Sequence, residues 1–311
     1  MRLLRAVPLL LAVTIPLSAG IVQDVLASFA TGSDASALQA LRTYRASLGV
    51  TPEYLEAFSW LARAEFDSHN YAPAESFAQE IYLLAADQLK KRPLDREPHL
   101  PLALGAAIEI HAGTLAAQGR RSEAVTFLQD QASAFGATSV LARIRKNLLL
   151  LTLEGKPAPP LENIVIPRGR PALLFFWAHW CPDCKSEIPI LARIKAEFVP
   201  QGLAFLAPTQ KYGYVAGGVD AGPAAEAAYI EQVRRTYYAP VIDGPAPVSE
   251  ANFVRYGAST TPTLVLIDRA GTVRLYHPGT MTYAELRGAV AKVIAKTQGA
   301  NDVGTNKAGT K

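Results

Sequence analysis

The chain has 311 residues, half of them hydrophobic and 19% charged, with a formal net charge of +4 at pH 7. That length suggests about two domains, with enough apolar material to build a core without covalent staples. Lysines and arginines are scattered singly among acids rather than gathered into a basic run interleaved with aromatics, so nucleic acid is not an expected partner.

The first segment, MRLLRAVPLLLAVTIPLSAG, has a positive start at Arg2 and Arg5, an apolar stretch from Ala6 to Leu17 and a small-residue exit at Ser18, Ala19 and Gly20. Residues 1–20 read as a secretory signal peptide. The rival reading is an uncleaved N-terminal anchor, because the uncharged run continues to Val22 and reaches the short limit for a membrane span. Pro8 and Pro16 weaken a lipid-crossing helix and favour cleavage. Either way the bulk of the chain is expected outside the cytoplasm, in the periplasm of a bacterium.

Residues 33–153 carry alanine- and leucine-rich stripes at helical spacing and few strand formers, which predicts an all-α domain of helical hairpins. In WLARAEFDSHNYAPAESFAQEIY (Trp60 to Tyr82) and HAGTLAAQGRRSEAVTFL (His111 to Leu128), small residues fall where paired helices approach and aromatics fill the gaps. Both stretches resemble tetratricopeptide hairpins. Two are fewer than the three a free-standing array needs, and a plain helical bundle is the alternative. A protein partner of this region is expected, of unspecified kind.

GKPAPPLEN (Gly155 to Asn163) places Pro157, Pro159 and Pro160 where no helix continues, and marks a domain boundary. Residues 157–296 alternate strand-like and helical runs, the pattern of an α/β layer architecture. Strands are expected over 172–177, 203–207, 263–267 and 272–276, the last two joined as a hairpin by the turn from Asp268 to Gly271. Helices are expected over 182–198, 224–237, 249–256 and 282–295, with Thr282 and Glu285 as a capping box. Pro189 predicts a kink in the first of these. Residues 297–311 lack apolar periodicity and are expected to be a disordered tail.

Cys181 and Cys184 are the only two cysteines of the chain. A bond across so short a loop stabilises little, and a pair kept alone in an oxidising compartment is more apt to react than to staple. A strand that delivers W-x-x-W-C-x-x-C into a helix places Cys181 at the helix start, where unpaired amides and the macrodipole favour an anion. Its thiol pKa is then expected to fall from about 8.5. Cys184 lies one turn deeper on the same face, sheltered and near enough to close a disulfide.

The run PAPPLENIVIPRGRPALLFFWAHWCPDCKSEIP, continued by STTPTLVLIDRAGTVRLYHPG, resembles the extracytoplasmic thioredoxin-like proteins of the TlpA/ResA type. The resemblance covers about Pro157 to Ala295 and leaves the helical region aside. It implies a thioredoxin fold, a mixed sheet flanked by helices, with the Cys181–Cys184 pair facing a cis peptide bond before Pro262. Thr261 and Pro262 would then meet an extended substrate peptide. Glu187 matches the family's acidic residue three positions after the second cysteine, a carboxylate that moves the proton of Cys184. Phe175 stands where cytoplasmic thioredoxins carry a buried aspartate, which leaves Glu187 as the remaining acid. Trp180 is expected to shield the disulfide and touch substrate. Pro182 and Asp183 fill the CxxC interior, Asp183 opposing thiolate formation somewhat.

Other residues keep two readings. Lys185 either steadies a thiolate or is an exposed lysine, and His179 either favours the Cys181 thiolate when protonated or is a surface turn residue. Tyr212 and Tyr214, in the glycine-rich insertion TQKYGYVAGGVDAGP (Thr209 to Pro223), either border the thiol site or pack onto their own domain. The expected function is an extracytoplasmic thiol-disulfide oxidoreductase that reduces protein disulfides, with Cys181 attacking and Cys184 resolving. Its only redox group would be the cysteine pair, with no bound cofactor and no metal. By resemblance a membrane carrier would supply electrons. The alternatives are a thiol oxidase or isomerase of the same fold, and a copper-delivery protein using the two thiolates. Against the last, one CxxC is half of a structural zinc site and nothing in the sequence supplies the rest.

Overall fold

A computed structural model of the chain describes residues 20–305. All but the last residue of the expected signal peptide, and residues 306–311 of the expected tail, lie outside the described residues. The chain forms two compact units that divide between Ala107 and Ile108.

The first unit is helical: α1 (Ile21–Ala30), α2 (Asp34–Leu48), α3 (Pro52–Asp67), α4 (Tyr71–Leu89) and the start of α5 (Leu100–Ala117). Its helices begin where the sequence supplies caps. Ser33 Oγ accepts the Ser36 amide ahead of α2, and Thr51 Oγ1 accepts that of Tyr54 with Pro52 in the first helical position. α3 and α4 form the hairpin expected from Trp60 to Tyr82. Ala57, Ala62, Ala74, Ala78 and Ala85 on these two helices are fully buried, so their backbones approach closely. Tyr54, Phe58 and Phe77 pack in series at tilted angles, with ring centroids 5.9 and 5.2 Å apart, and fill what the alanines leave.

The second unit takes in the rest of α5, α6 (Arg121–Ala134), α7 (Leu141–Thr152) and the whole α/β part. The sequence had grouped residues 33–153 together, but the compact division falls inside α5. Two causes are visible. Arg143 Nε and Lys146 Nζ of α7 donate to Glu109 at 2.6 and 2.9 Å, which ties α7 to the second half of α5. Leu149 and Leu153 join the core beneath the sheet. α5 is long and apolar enough to cross a membrane, yet most of it is buried in the protein, as in the core helix of a globular domain.

The sheet has the order β2–β1–β3–β4, built from β1 (Ala172–Phe176), β2 (Ala204–Leu206), β3 (Thr263–Ile267) and β4 (Val273–Pro278). β1 pairs parallel to β2 and antiparallel to β3, which pairs antiparallel to β4. The sheet is therefore mixed. Every residue of β1 and β3 is buried, as continuous apolar strands covered on both faces require. Strand alternation then divides the core. Leu173 and Phe175 face a layer made by α9 (Ile188–Phe198), α10 (Pro223–Val233) and α12 (Tyr283–Thr305). Leu174 and Phe176 face Phe253 and Tyr256 at α11 (Glu250–Arg255), together with Leu153.

The expected helix over 182–198 is two helices, α8 (Pro182–Ser186) and α9, broken at Glu187 where Pro189 withholds its amide. α12 starts from the Thr282–Glu285 box, with the Thr282 amide donating to Glu285 Oε2 at 3.0 Å, and its backbone runs helically to Thr305. It thus extends into residues expected to lack structure, a helix already nucleated being easy to propagate. The proline-rich boundary is not a free linker. Gly155 and Ala158 donate to the carbonyls of Val273 and Gly271, both at 2.8 Å, and Val273 donates to Lys156 at 2.9 Å, so this segment pairs along the outer edge of β4.

Candidate active site

β1 ends at Phe176, and the next five residues carry the chain over the end of the sheet into α8. Cys181 is the N-cap of α8 and Pro182 its first helical residue. The Cys184 amide donates to Cys181 Sγ at 3.0 Å, so the sulfur occupies the place of a capping oxygen. Cys181 and Cys184 form a disulfide, with Cα atoms 5.3 Å apart. Both are buried, while Pro182 and Asp183 between them are exposed. Since α8 is a single turn and a half, the anion-favouring field at Cys181 comes from the local amide rather than from a long helix dipole.

Opposite the disulfide lies the turn into β3, whose Thr261–Pro262 bond is cis. Cys181 Sγ stands 3.4 Å from the Thr261 carbonyl oxygen. The turn is braced on both sides: Thr263 Oγ1 donates to the Thr260 carbonyl at 2.6 Å, and the Gly279 amide to that of Pro262 at 2.8 Å. The Thr261 hydroxyl is buried without a hydrogen-bond partner. Trp177 is fully buried beneath the motif, its Nε1 donating to the Ala207 carbonyl at 3.1 Å and its ring 4.3 Å from that of Tyr238. Trp180 is 44% exposed, the one large aromatic presented to solvent next to Cys181.

Glu187 is only 2% exposed. Its Oε1 accepts the Met281 amide at 3.1 Å, from the loop between β4 and α12. Burial pushes its carboxyl pKa up, against smaller opposing pulls from that amide and from His277. It lines a cleft of about 330 Å³ with Ser186, Ile190 and the loop Thr280–Thr282. A carboxyl held in this way, one helical turn past Cys184, exchanges protons nearer neutrality than an exposed glutamate does.

Phe175, where the resemblance had anticipated a missing aspartate, packs between Phe205 and Tyr238 and offers no titratable group. Lys185 Nζ lies 4.6 Å above the ring of Tyr237. Among the described residues no group of three or more histidine, cysteine, aspartate or glutamate side chains is arranged to hold a metal ion.

His179 is not a surface turn residue. It is 1% exposed, and its Nε2 lies 3.2 Å from Glu226 Oε1 of α10, itself 1% exposed. Burial pulls the imidazole pKa down, with Glu226 opposing, so the neutral ring donating from Nε2 fits the site. The rings of Tyr212, Tyr214 and Tyr229 stand edge-on around it. Tyr212 also packs edge-to-face on Trp180 at 5.4 Å, so the insertion does border the thiol site. Glu226 had no signal in the sequence. It lies in the alanine-rich first turns of its helix, 47 residues from the histidine it meets.

A model of the family described as "Thioredoxin-like domain" matches residues 162–294. Among curated proteins, the thiol-disulfide oxidoreductase ResA of Geobacillus thermodenitrificans is 28% identical over 174 residues, covering 56% of this chain and 86% of the relative. The thioredoxin-like protein YneN of Bacillus subtilis is 27% identical over 140 residues, 44% of this chain and 71% of its own length. The thiol:disulfide interchange protein DsbE of Yersinia pestis is 26% identical over 144 residues, with shares of 46% and 68%. Together with the mixed sheet and the CxxC facing a cis-proline, these matches show that the chain carries a thioredoxin-like domain, homologous to ResA, YneN and DsbE, behind an N-terminal helical region.

Proposed function

We propose that the chain is an extracytoplasmic thiol-disulfide oxidoreductase that reduces protein disulfides. The observation that carries this reading is the Cys181–Cys184 disulfide at the head of α8, facing the cis Thr261–Pro262 bond. In the reduced protein, the Cys181 thiolate attacks one sulfur of a substrate disulfide and expels the other as a thiolate. The Cys184 thiolate then attacks Cys181 Sγ, restores the Cys181–Cys184 disulfide and releases the second substrate thiol. Two electrons pass from the dithiol to the substrate, and the two thiol protons end on its two sulfurs.

Local groups support each step. The Cys184 amide donates to Cys181 Sγ and favours its thiolate. Glu187, raised by burial, receives the proton of Cys184 as that thiol is activated. The Thr261 backbone beside Cys181 is available to pair with an extended substrate segment, and Trp180, adjacent to Cys181 and partly open to solvent, is available to meet it. The disulfide is the redox group, and no bound cofactor takes part in the exchange.

The leader-like N-terminus supports an extracytoplasmic location. A membrane-borne dithiol donor would reduce the oxidised enzyme, and the helical first unit would dock a protein partner.

The test is reduction of a disulfide-bonded protein such as insulin, with dithiothreitol as donor. Cys181→Ser should abolish turnover, and Cys184→Ser should accumulate a mixed disulfide with the substrate. Full activity in Cys181→Ser would overturn the reading. The reduction potential of the pair settles direction: a value near −270 mV, about that of thioredoxin, fits a reductase, and one near −120 mV an oxidant.

A further inference from the structure

The insertion of residues 209–223 is fastened to the active-site segment at its start, where Thr209 Oγ1 donates to the Trp177 carbonyl at 2.7 Å, and further along by one carboxylate. Glu226 Oε1 accepts the Tyr212 amide at 2.5 Å and faces His179 Nε2 at 3.2 Å, while Oε2 accepts the Gly213 amide at 3.0 Å. Three donors from two separate stretches thus converge on a side chain that is 1% exposed. Past Thr209, whose backbone pairs with Pro247 and Ser249, the loop is also braced on itself, by Val215 donating to Val219 at 2.9 Å and Ala221 to Gly213 at 2.9 Å. A buried carboxylate is costly to keep unless its donors are held in place, so loop and carboxylate fix one another. Glutamine cannot replace it evenly, because its amide group would point a donor at one of the three N–H groups.

What the latch holds in place is a ring. Tyr212 stands edge-to-face on Trp180 at 5.4 Å, and its other side packs on His179 at 5.6 Å. His179, two residues before Cys181, is in turn held by Tyr214 and Tyr229. The Trp180–Tyr212 pair therefore forms a wall next to the attacking sulfur, with Trp180 partly open to solvent. Aromatic walls of fixed geometry favour aromatic and bulky apolar side chains.

We infer that Glu226 is a positioning residue for substrate selection: by latching the insertion to His179 it sets Tyr212 against Trp180, and this wall selects polypeptide disulfides with an aromatic or bulky apolar residue next to the cysteine that Cys181 attacks. The inference rests on the oxidoreductase reading above. Glu226 acts only through the wall and touches no reacting atom.

Two peptides test it, each with one intramolecular disulfide, with Phe or Gly beside the cysteine, reduced by the full chain under dithiothreitol. The unmodified protein should show a KM about tenfold lower for the Phe peptide, the worth of one good aromatic contact. Glu226→Gln should raise that KM towards the Gly value while kcat changes less than about twofold, and should increase acrylamide quenching of tryptophan fluorescence. Tyr212→Leu, which keeps the backbone donor to Glu226, should raise the KM alike. The double variant should go no further than Tyr212→Leu alone, because both act through one wall.

Equal KM for the two peptides, a parallel loss of kcat on both in Glu226→Gln, or additive effects in the double variant would each overturn the inference. If Glu226→Gln does not fold, the peptide preference of the unmodified protein and its loss in Tyr212→Leu decide. A protein that reduces neither peptide and exchanges with no dithiol sinks the oxidoreductase reading itself. A working reductase blind to the neighbouring side chain sinks only the latch.

Discussion

Gly257 is where α7 and the loop leading to the cis-proline meet, and replacing it with alanine measures how firmly α7 is seated. A Cβ there would stand 2.6 Å from the Lys146 amide nitrogen and 2.8 Å from both the Arg145 carbonyl carbon and Lys146 Cα. All three are backbone atoms of α7, so no side chain can swing away and the helix itself must shift. The residue also has φ +55°, a left-handed conformation that costs a non-glycine residue roughly 1–2 kcal/mol. Overpacking against a fixed neighbour adds about 1–3 kcal/mol, for a total of about 2–5 kcal/mol. The control is Gly271, in the turn between β3 and β4, with φ +82° and nothing within 4 Å of its Cβ position. Gly271→Ala should cost only the conformational part, about 1–2 kcal/mol. Urea unfolding of both variants at pH 7 gives the comparison, the difference between them being the steric contribution of α7. Gly257→Ala no more destabilising than Gly271→Ala would refute the reasoning and mean that α7 yields freely.

Two further outcomes are expected. Glu187 has its pKa raised by burial, so its contribution to stability is complete below the unfolded carboxyl range, about 4.3, and is lost as pH rises through the folded value. Glu187→Gln keeps an acceptor for the Met281 amide without the charge, so it should flatten that fall and leave the protein more stable at neutral pH while slowing disulfide exchange. An unchanged slope of stability against pH in urea titrations would remove Glu187 as its source. Asn252, fully buried on α11, accepts the Glu162 amide at 2.7 Å and donates to its carbonyl at 3.0 Å, pinning the segment before β1 much as a neighbouring strand would. Asn252→Ala should cost about 1–3 kcal/mol in the same assay, and a loss under about 0.5 kcal/mol would show that water replaces both bonds.

The parts of the site that lie within one short stretch of sequence were legible. The spacing of Cys181 and Cys184, the proline at the head of their helix and the break before Pro189 are local facts, with consequences set by backbone geometry. The Thr261–Pro262 turn and Glu187 came from resemblance, and the geometry around them then gave each a neighbour. For His179 the sequence leaves open a thiolate-favouring imidazole and a surface turn residue, because nothing near it in sequence announces burial. Its partner Glu226 lies in the alanine-rich first turns of a helix, where an acid ordinarily faces water. The pairing that follows the helical region is hidden for a related reason. Pro157, Pro159 and Pro160 do end a helix, but the amides and carbonyls around them pair with β4, and backbone pairing leaves no trace in side-chain chemistry. Nor does the sequence of α7 reveal that Leu149 and Leu153 belong to the core under the sheet rather than to the helices before it.

That pairing along β4 also bears on the order in which the molecule can assemble. Pro157 bridges Thr272, so the outer edge of the sheet closes only when residues far along the chain have been made. During synthesis from the N-terminus the helices of the first unit can pack from nearby segments alone, while α7 and the strand before the active site must wait for β3 and β4. Contacts so distant in sequence form slowly, because the intervening chain has to be ordered before they are gained. The cysteines thus emerge before the turn that will face them exists. For as long as that interval lasts, both sulfurs are open to the oxidants and thiols around them, and the redox pair meets its surroundings before it meets its own fold.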